Sequence, residues 1–275
     1  RMRLLAISDL HLAGAGNREA LDALPSHPDD WLIVAGDVAE RIDMVADALA
    51  LLADRFARVI WVPGNHELWS RPSADEPVGV ARYEALVARA RAVGVVTPED
   101  PFPIWPGPVP HGVGQLAIAP MFLLYDYSFR PDDVPLDSVV EWAEETHNVC
   151  SDEILLSPAP YENRIAWCHA RLAQTEKRLH TEIPAGARTV LVNHWPLRRD
   201  LVRIPRVPRF TPWCGTVRTE DWHSRFNAYA VVTGHLHTRR TDMRGDTRFE
   251  EVSLGYPRQW DHGRGIAEYL RVIVA

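Results

Sequence analysis

Cysteine is scarce in this sequence: Cys150, Cys168 and Cys214 are the only three in 275 residues, and none forms a Cys-x-x-Cys pair. An odd number of widely spaced thiols argues against a disulfide framework or a zinc knuckle and fits a reducing compartment. No apolar run approaches the roughly 20 residues that a membrane span needs. The first strand-like run begins at Arg3 and leaves no room for a signal peptide, so the expected location is the cytoplasm. A basic excess is lacking too. The formal charge of −7 disfavours a general nucleic-acid binder, although a local basic patch remains compatible with it. Internal repeats are absent. What is left, 46% hydrophobic and 24% charged, is the composition of an ordinary globular protein with material for one α/β domain.

Buried strands are expected at "RLLAIS" (3–8), "WLIVAGD" (31–37) and "RVIWVPG" (58–64). Between and after them, helical spacing marks 17–24, with Asn17 as its cap, then 41–56 and 80–94. This alternation predicts a parallel or mixed sheet covered by helices. The rhythm breaks at Thr97, where "TPEDPFPIWPGPVP" holds six prolines and excludes both helix and central strand. A strand running into an aromatic loop follows at 115–129, then helices near 136–149 and 161–180. Strands resume at 188–196, 228–238, 247–255 and 269–275. Residues 98–186 therefore read as an insertion or lid between two halves of one core.

The predicted strands end alike. They deliver Asp9-Leu10-His11, Gly36-Asp37, Gly64-Asn65-His66-Glu67, Asn193-His194 and Gly234-His235-Leu236-His237. Ligands of open α/β sheets bind beyond the carboxyl ends of the strands, so these groups are expected to converge. Asp-x-His and His-x-His place both side chains on one side of an extended segment, and the preceding glycines let the backbone turn sharply. Imidazole mixed with carboxylate suits Zn, Fe or Mn better than Ca or Mg.

In this order, "DLH", "GD", "GNHE", "NH" and "GHLH" resemble the calcineurin-like metallophosphoesterases, across residues 9 to 237. The resemblance implies a four-layer α-β-β-α sandwich of mixed sheets in a single domain over 2–275, with the helical insertion. It also implies a phosphoesterase with two transition-metal ions, Fe and Mn first, with Zn or Co compatible. One ion would be held by Asp9, His11, Asp37 and His237. The second would be held by Asp37, Asn65, His194 and His235, with Asp37 bridging and a bridging hydroxide attacking in line. His66 would stabilise the transition state or protonate the leaving oxygen, oriented by Glu40 where related phosphatases often carry aspartate. Arg41 is a candidate phosphate contact or a solvated helix-opening residue.

Two regions are candidates for setting the substrate. "RRDLVRIPRVPRF" carries Arg198, Arg199, Arg203, Arg206 and Arg209 against one acid, Asp200, shortly after His194, an arginine cluster suited to a phosphorylated or acidic partner or a solvated loop. "YDYSFRPDD" places Tyr125 near a strand end, where it would wall the pocket or cap the core. Together they are similar to an actinobacterial subgroup that includes enzymes removing 4′-phosphopantetheine from acyl carrier proteins. That resemblance makes an acyl carrier protein the expected partner, engaged through the arginine rim. The alternatives are a phosphodiesterase or phosphatase acting on a small nucleotide or sugar-phosphate ester and, from another class, a non-catalytic protein-binding scaffold. Retention of metal by the purified protein separates the scaffold from the enzymes.

Overall fold

The computed structural model describes residues 1–71 and 75–275. Strand β1 (Leu4–Ile7) is "LLAI", apolar at every position because both of its faces are covered. It pairs in parallel with β2 (His27–Val34), and β2 pairs in parallel with β3 (Phe56–Trp61). Helices α1 (Ala15–Asp22) and α2 (Ile42–Arg55) make the crossovers. The one-turn helix α3 (Asn65–Leu68) and α4 (Gly79–Ala92) follow. The last strand of the chain, β9 (Arg271–Val274), closes this sheet antiparallel to β1, giving the order β3-β2-β1-β9.

The second sheet has the order β4-β5-β6-β8-β7. Its strands are β4 (Leu116–Pro120), β5 (Arg188–Val192), β6 (Ala228–Thr233), β7 (Thr241–Arg244) and β8 (Thr247–Glu251). All are parallel except β7, which forms a hairpin with β8. The short helices α5 (Val139–Glu144) and α6 (Asp152–Leu155) and the long α7 (Arg164–Glu182) lie between β4 and β5; α8 (Trp222–Arg225) precedes β6. Alternation along the strands sorts the apolar side chains into layers. Leu4, Ala6, Ile33, Ile60, Ile118, Val190, Val192, Ala230 and Val232 form a core between the sheets. Leu5, Ile7, Leu32, Val34 and Trp61 face the other way and join helix residues such as Leu49, Leu52 and Leu86. Two mixed sheets face to face under helices make the expected four-layer sandwich.

Register then places the site. Ile7 pairs with Val34, and Val34 with Trp61, so β1, β2 and β3 end level with one another. In the other sheet Val192 pairs with Val232. A bridge between Ser8 and Ser253 stitches the two carboxyl edges together, with Leu254 N–H donating to Ser8 O at 2.8 Å.

Several local expectations change. Asn17 does not cap α1; it is a buried residue inside the helix, and its amide donates to Leu10 O at 2.6 Å and Gly255 O at 2.9 Å. The region 98–186 supplies β4, an edge strand of the second sheet, and α7, which returns the chain to β5; its strand-free excursion is 121–163. Strand β7 was not anticipated, because "TDMR" at a sheet edge carries no apolar alternation. Among the described residues no helix is long and apolar enough to cross a membrane.

Candidate metal centre

Beyond the level strand ends, Asp9, His11 and His237 bring ligand atoms within 4.8 Å of one another, as do Asp37, His194 and His235. A third such group, His11, Asp37 and His66, links the two. Asp37 Oδ2 is the common point, 3.4 Å from His194 Nε2 and 3.8 Å from both His11 Nε2 and His66 Nε2. Asp9 Oδ1 lies 3.1 Å from His237 Nε2 and 3.6 Å from His11 Nε2.

The backbone is bent to present these groups. Asp9, His11, Asp37, His235 and His237 all have positive φ, a left-handed conformation rare outside glycine that costs of order 1–3 kcal/mol per residue. Of the three glycines expected to turn the chain, only Gly36 has positive φ. Gly64 is extended at φ −100. The reason for Gly64 and Gly234 is close approach: a Cβ on either would overlap the carboxylate of Asp37 or Asp9, respectively.

Five of the candidate ligands, Asp9, Asp37, Asn65, His194 and His237, have their other polar atom engaged. Asp9 Oδ2 accepts from Ser8 Oγ at 2.6 Å, Ser253 Oγ at 2.9 Å and His235 N–H at 3.0 Å. Asp37 Oδ1 accepts the N–H of His66 at 3.0 Å. His194 Nδ1 is on Ala35 O at 2.7 Å and His237 Nδ1 on Gln259 Oε1 at 2.7 Å, which fixes both rings with Nε2 inward. The amide of Asn65 donates to Asp152 Oδ1 at 3.0 Å. The remaining atoms, Asn65 Oδ1 and His194 Nε2, are buried without a hydrogen-bond partner. Buried polar atoms are nearly always paired, so two orphans in one cluster mark a place for cations.

The family model described as calcineurin-like phosphoesterase matches residues 2–239. The chain belongs to the calcineurin-like phosphoesterase family. Within the family it is 52% identical, over 94% of its own length and 79% of the relative's, to a Mycobacterium tuberculosis protein named [Acyl-carrier-protein] phosphodiesterase PptH. The crystal structure of the phosphopantetheinyl hydrolase PptH from that organism superposes with a TM-score of 0.91 at 50% identity, covering 99% of this chain and 95% of that one.

A calcineurin-like phosphoesterase uses a pair of metal ions, and the donors here, imidazole, carboxylate and one amide oxygen, fit such a pair. The charge balance points the same way. Burial opposes protonation of His194 and His237, yet Asp37 and Asp9 outweigh it for His194, which rises to about 10, and Asp9 outweighs it for His237, which rises to about 9. His235 moves down to about 3, through burial and the charge on His194. Without ions, the buried carboxylates thus hold protons on two of the rings.

His66 stands beside the ligands and is 9% exposed. Its Nδ1 is 3.3 Å from Glu40 Oε1, and Trp69 lies against the ring with centroids 3.7 Å apart. Burial pulls its pKa down, but Asp37 and Glu40 raise it overall. Arg41 is an exposed residue at the start of α2; the guanidinium that approaches Glu40 is Arg71, at 3.7 Å.

The candidate substrate residues separate. Tyr125 is fully buried, and its hydroxyl donates to Asp152 Oδ2 at 2.9 Å, so it braces a carboxylate and presents no wall to a ligand. Arg198 is forked onto Asp200 at 2.9 and 3.0 Å. Arg199 donates to Asp132 at 3.0 Å and lines a cavity of about 340 Å³ with Phe129, Pro131, Trp142, Pro208 and Thr211. Arg203 and Arg206 are exposed. Sequence reasoning gave no role to Glu67, although the "GNHE" block contains it, and did not single out Gln259, Ser253 or Asp152, whose partners are remote in the chain.

Proposed function

We propose that the chain is a dinuclear-metal phosphodiesterase that removes 4′-phosphopantetheine from holo acyl carrier protein. The observation that carries this reading is the 52% identity to a protein named for that activity, with the strand-end donors gathered into one centre. Asp9, His11, Asp37 and His237 would hold one ion. Asp37, Asn65, His194 and His235 would hold the other, with Asp37 shared. Fe and Mn are our assignment for the pair, and Zn or Co fit the same donors. When bound, such a pair supplies positive charge to the phosphoryl oxygens and acidifies water for attack.

The chain's own contribution is to orient and to move a proton. Water adds to phosphorus as the bond to the carrier serine oxygen breaks, and His66 Nε2 delivers a proton to that oxygen. Glu40 holds the opposite nitrogen, so the ring faces the substrate with its proton in place. The products are 4′-phosphopantetheine and a carrier protein with a free serine hydroxyl. The exposed Arg203 and Arg206 would meet the acidic carrier, and the cleft edged by Arg199 and Trp142, of about 340 Å³, has the size of a small-molecule site for the pantetheine arm. We treat 2–275 as one domain and assign it to the cytoplasm on its three free cysteines.

The test is intact-mass spectrometry of holo acyl carrier protein incubated with the enzyme and Mn or Fe. Loss of the phosphopantetheine mass is expected. An unchanged carrier, with a bis-aryl phosphodiester still cleaved, would keep the metal enzyme and replace the substrate by a small ester.

A further inference from the structure

Asp152 is 1% exposed, on the short helix α6 within the excursion 121–163. Its carboxylate accepts three hydrogen bonds, all from neutral donors. Asn65 Nδ2 donates to Oδ1 at 3.0 Å, Trp69 Nε1 to Oδ1 at 2.7 Å and the Tyr125 hydroxyl to Oδ2 at 2.9 Å. Among the described residues no lysine, arginine or histidine forms an ion pair with it. A buried carboxylate with neutral partners alone is costly, and a nearby cationic centre would offset that cost.

The pairing also decides which way the Asn65 amide faces. An aspartate at 152 accepts and cannot donate, so an Asn65 turned over would set its own oxygen against a carboxylate oxygen. Only the observed orientation leaves Oδ1 without a partner. The same Oδ1 of Asp152 holds the indole of Trp69, whose ring packs on His66. One carboxylate therefore fixes the neighbours of two consecutive site residues, Asn65 and His66.

We propose that Asp152 is a positioning residue of the metal centre: it locks the Asn65 amide oxygen toward the second ion and seats Trp69 against His66. The excursion 121–163 is then a built part of the centre and not a lid over it. This rests on the reading of Asn65 as a ligand of the second ion.

The experiment is a Mn(II) titration of metal-depleted protein followed by electron paramagnetic resonance, with the melting temperature of each metal-free variant alongside. Asp152→Ala is expected to weaken the second ion by about 10–100-fold, the usual effect of losing an outer-shell partner, while the first ion binds as in wild type. Asp152→Asn, which keeps the shape, is expected to weaken it by roughly 3–10-fold, since an amide at 152 can also donate to the oxygen of a turned-over Asn65. It decides the question alone if the alanine variant does not fold. Wild-type affinity for the second ion in Asp152→Asn, or equal weakening of both ions, would overturn the proposal. A wild-type protein that binds fewer than two ions would instead remove the parent reading.

Discussion

The Glu67 carboxylate accepts the backbone N–H of Asp37 at 2.8 Å, and with the same Oε2 the N–H of Gly64 at 2.8 Å. Its Oε1 takes Val38 N–H at 3.0 Å and the Trp61 indole at 3.4 Å. This fully buried side chain thus ties the loop after β2 to the loop after β3 and places the candidate bridging aspartate. Glu67→Gln turns an NH₂ group toward backbone donors. It is expected to cost about 1–3 kcal/mol of stability, the desolvation penalty of buried groups left unpaired. Urea unfolding measures it, and a change below a few tenths would contradict the bracing role.

His66→Ala is expected to lower turnover by about 10²–10⁴-fold, the usual loss on removing an acid or an oxyanion donor. Both ions are expected to stay, because none of the proposed ligands is touched. Steady-state kinetics with metal analysis checks both halves. Unchanged turnover would take His66 out of the mechanism.

The charge state of the centre predicts a pH dependence. His194 and His237 have folded pKa values of about 10 and about 9, above the ordinary 6.5. Their protonation stabilises the metal-free fold fully below pH 6.5, and that contribution is lost as pH rises through about 9 and about 10. Metal binding needs neutral imidazoles, so at pH 7 about two protons leave as the ions enter and apparent affinity climbs with pH. Calorimetry in buffers of different ionisation enthalpy counts the protons. Uptake in place of release would contradict the assignment.

The arginine rim gives a substrate-dependent prediction. Reversing Arg203 and Arg206 to glutamate is expected to spare a small diester and to slow an acidic carrier by about 10-fold or more, chiefly in kcat/KM and most at low salt. Parallel assays on both substrates decide it. Equal loss on both would rule out docking by this loop.

Much of this was legible in the sequence because each buried parallel strand is a short continuous apolar run. "LLAI" and "WLIV" declare themselves, and the polar residues after them are fixed in space by strand register. The supporting partners were not legible. Asp152 reaches Asn65 across 87 positions from a stretch without periodicity, and Ser253 reaches Asp9 across 244. Only the packed fold pairs them. Asn17 misled because Asn before a helical pattern is the usual sign of a cap, while here the amide is spent joining Leu10 to Gly255. Tyr125 stood open between pocket wall and core cap, since an aromatic at a strand end looks the same from sequence whether it faces a pocket or the core; the fold buries it.

The most direct test of the account is a metal count on purified wild type and Asp37→Asn, with the spin coupling of the Mn-loaded forms read by electron paramagnetic resonance. Ions sharing a carboxylate sit roughly 3.5–4 Å apart and couple magnetically. Two coupled ions per wild-type chain are expected, with occupancy and coupling both lost in Asp37→Asn. Two ions that remain bound and coupled without the Asp37 carboxylate would contradict it.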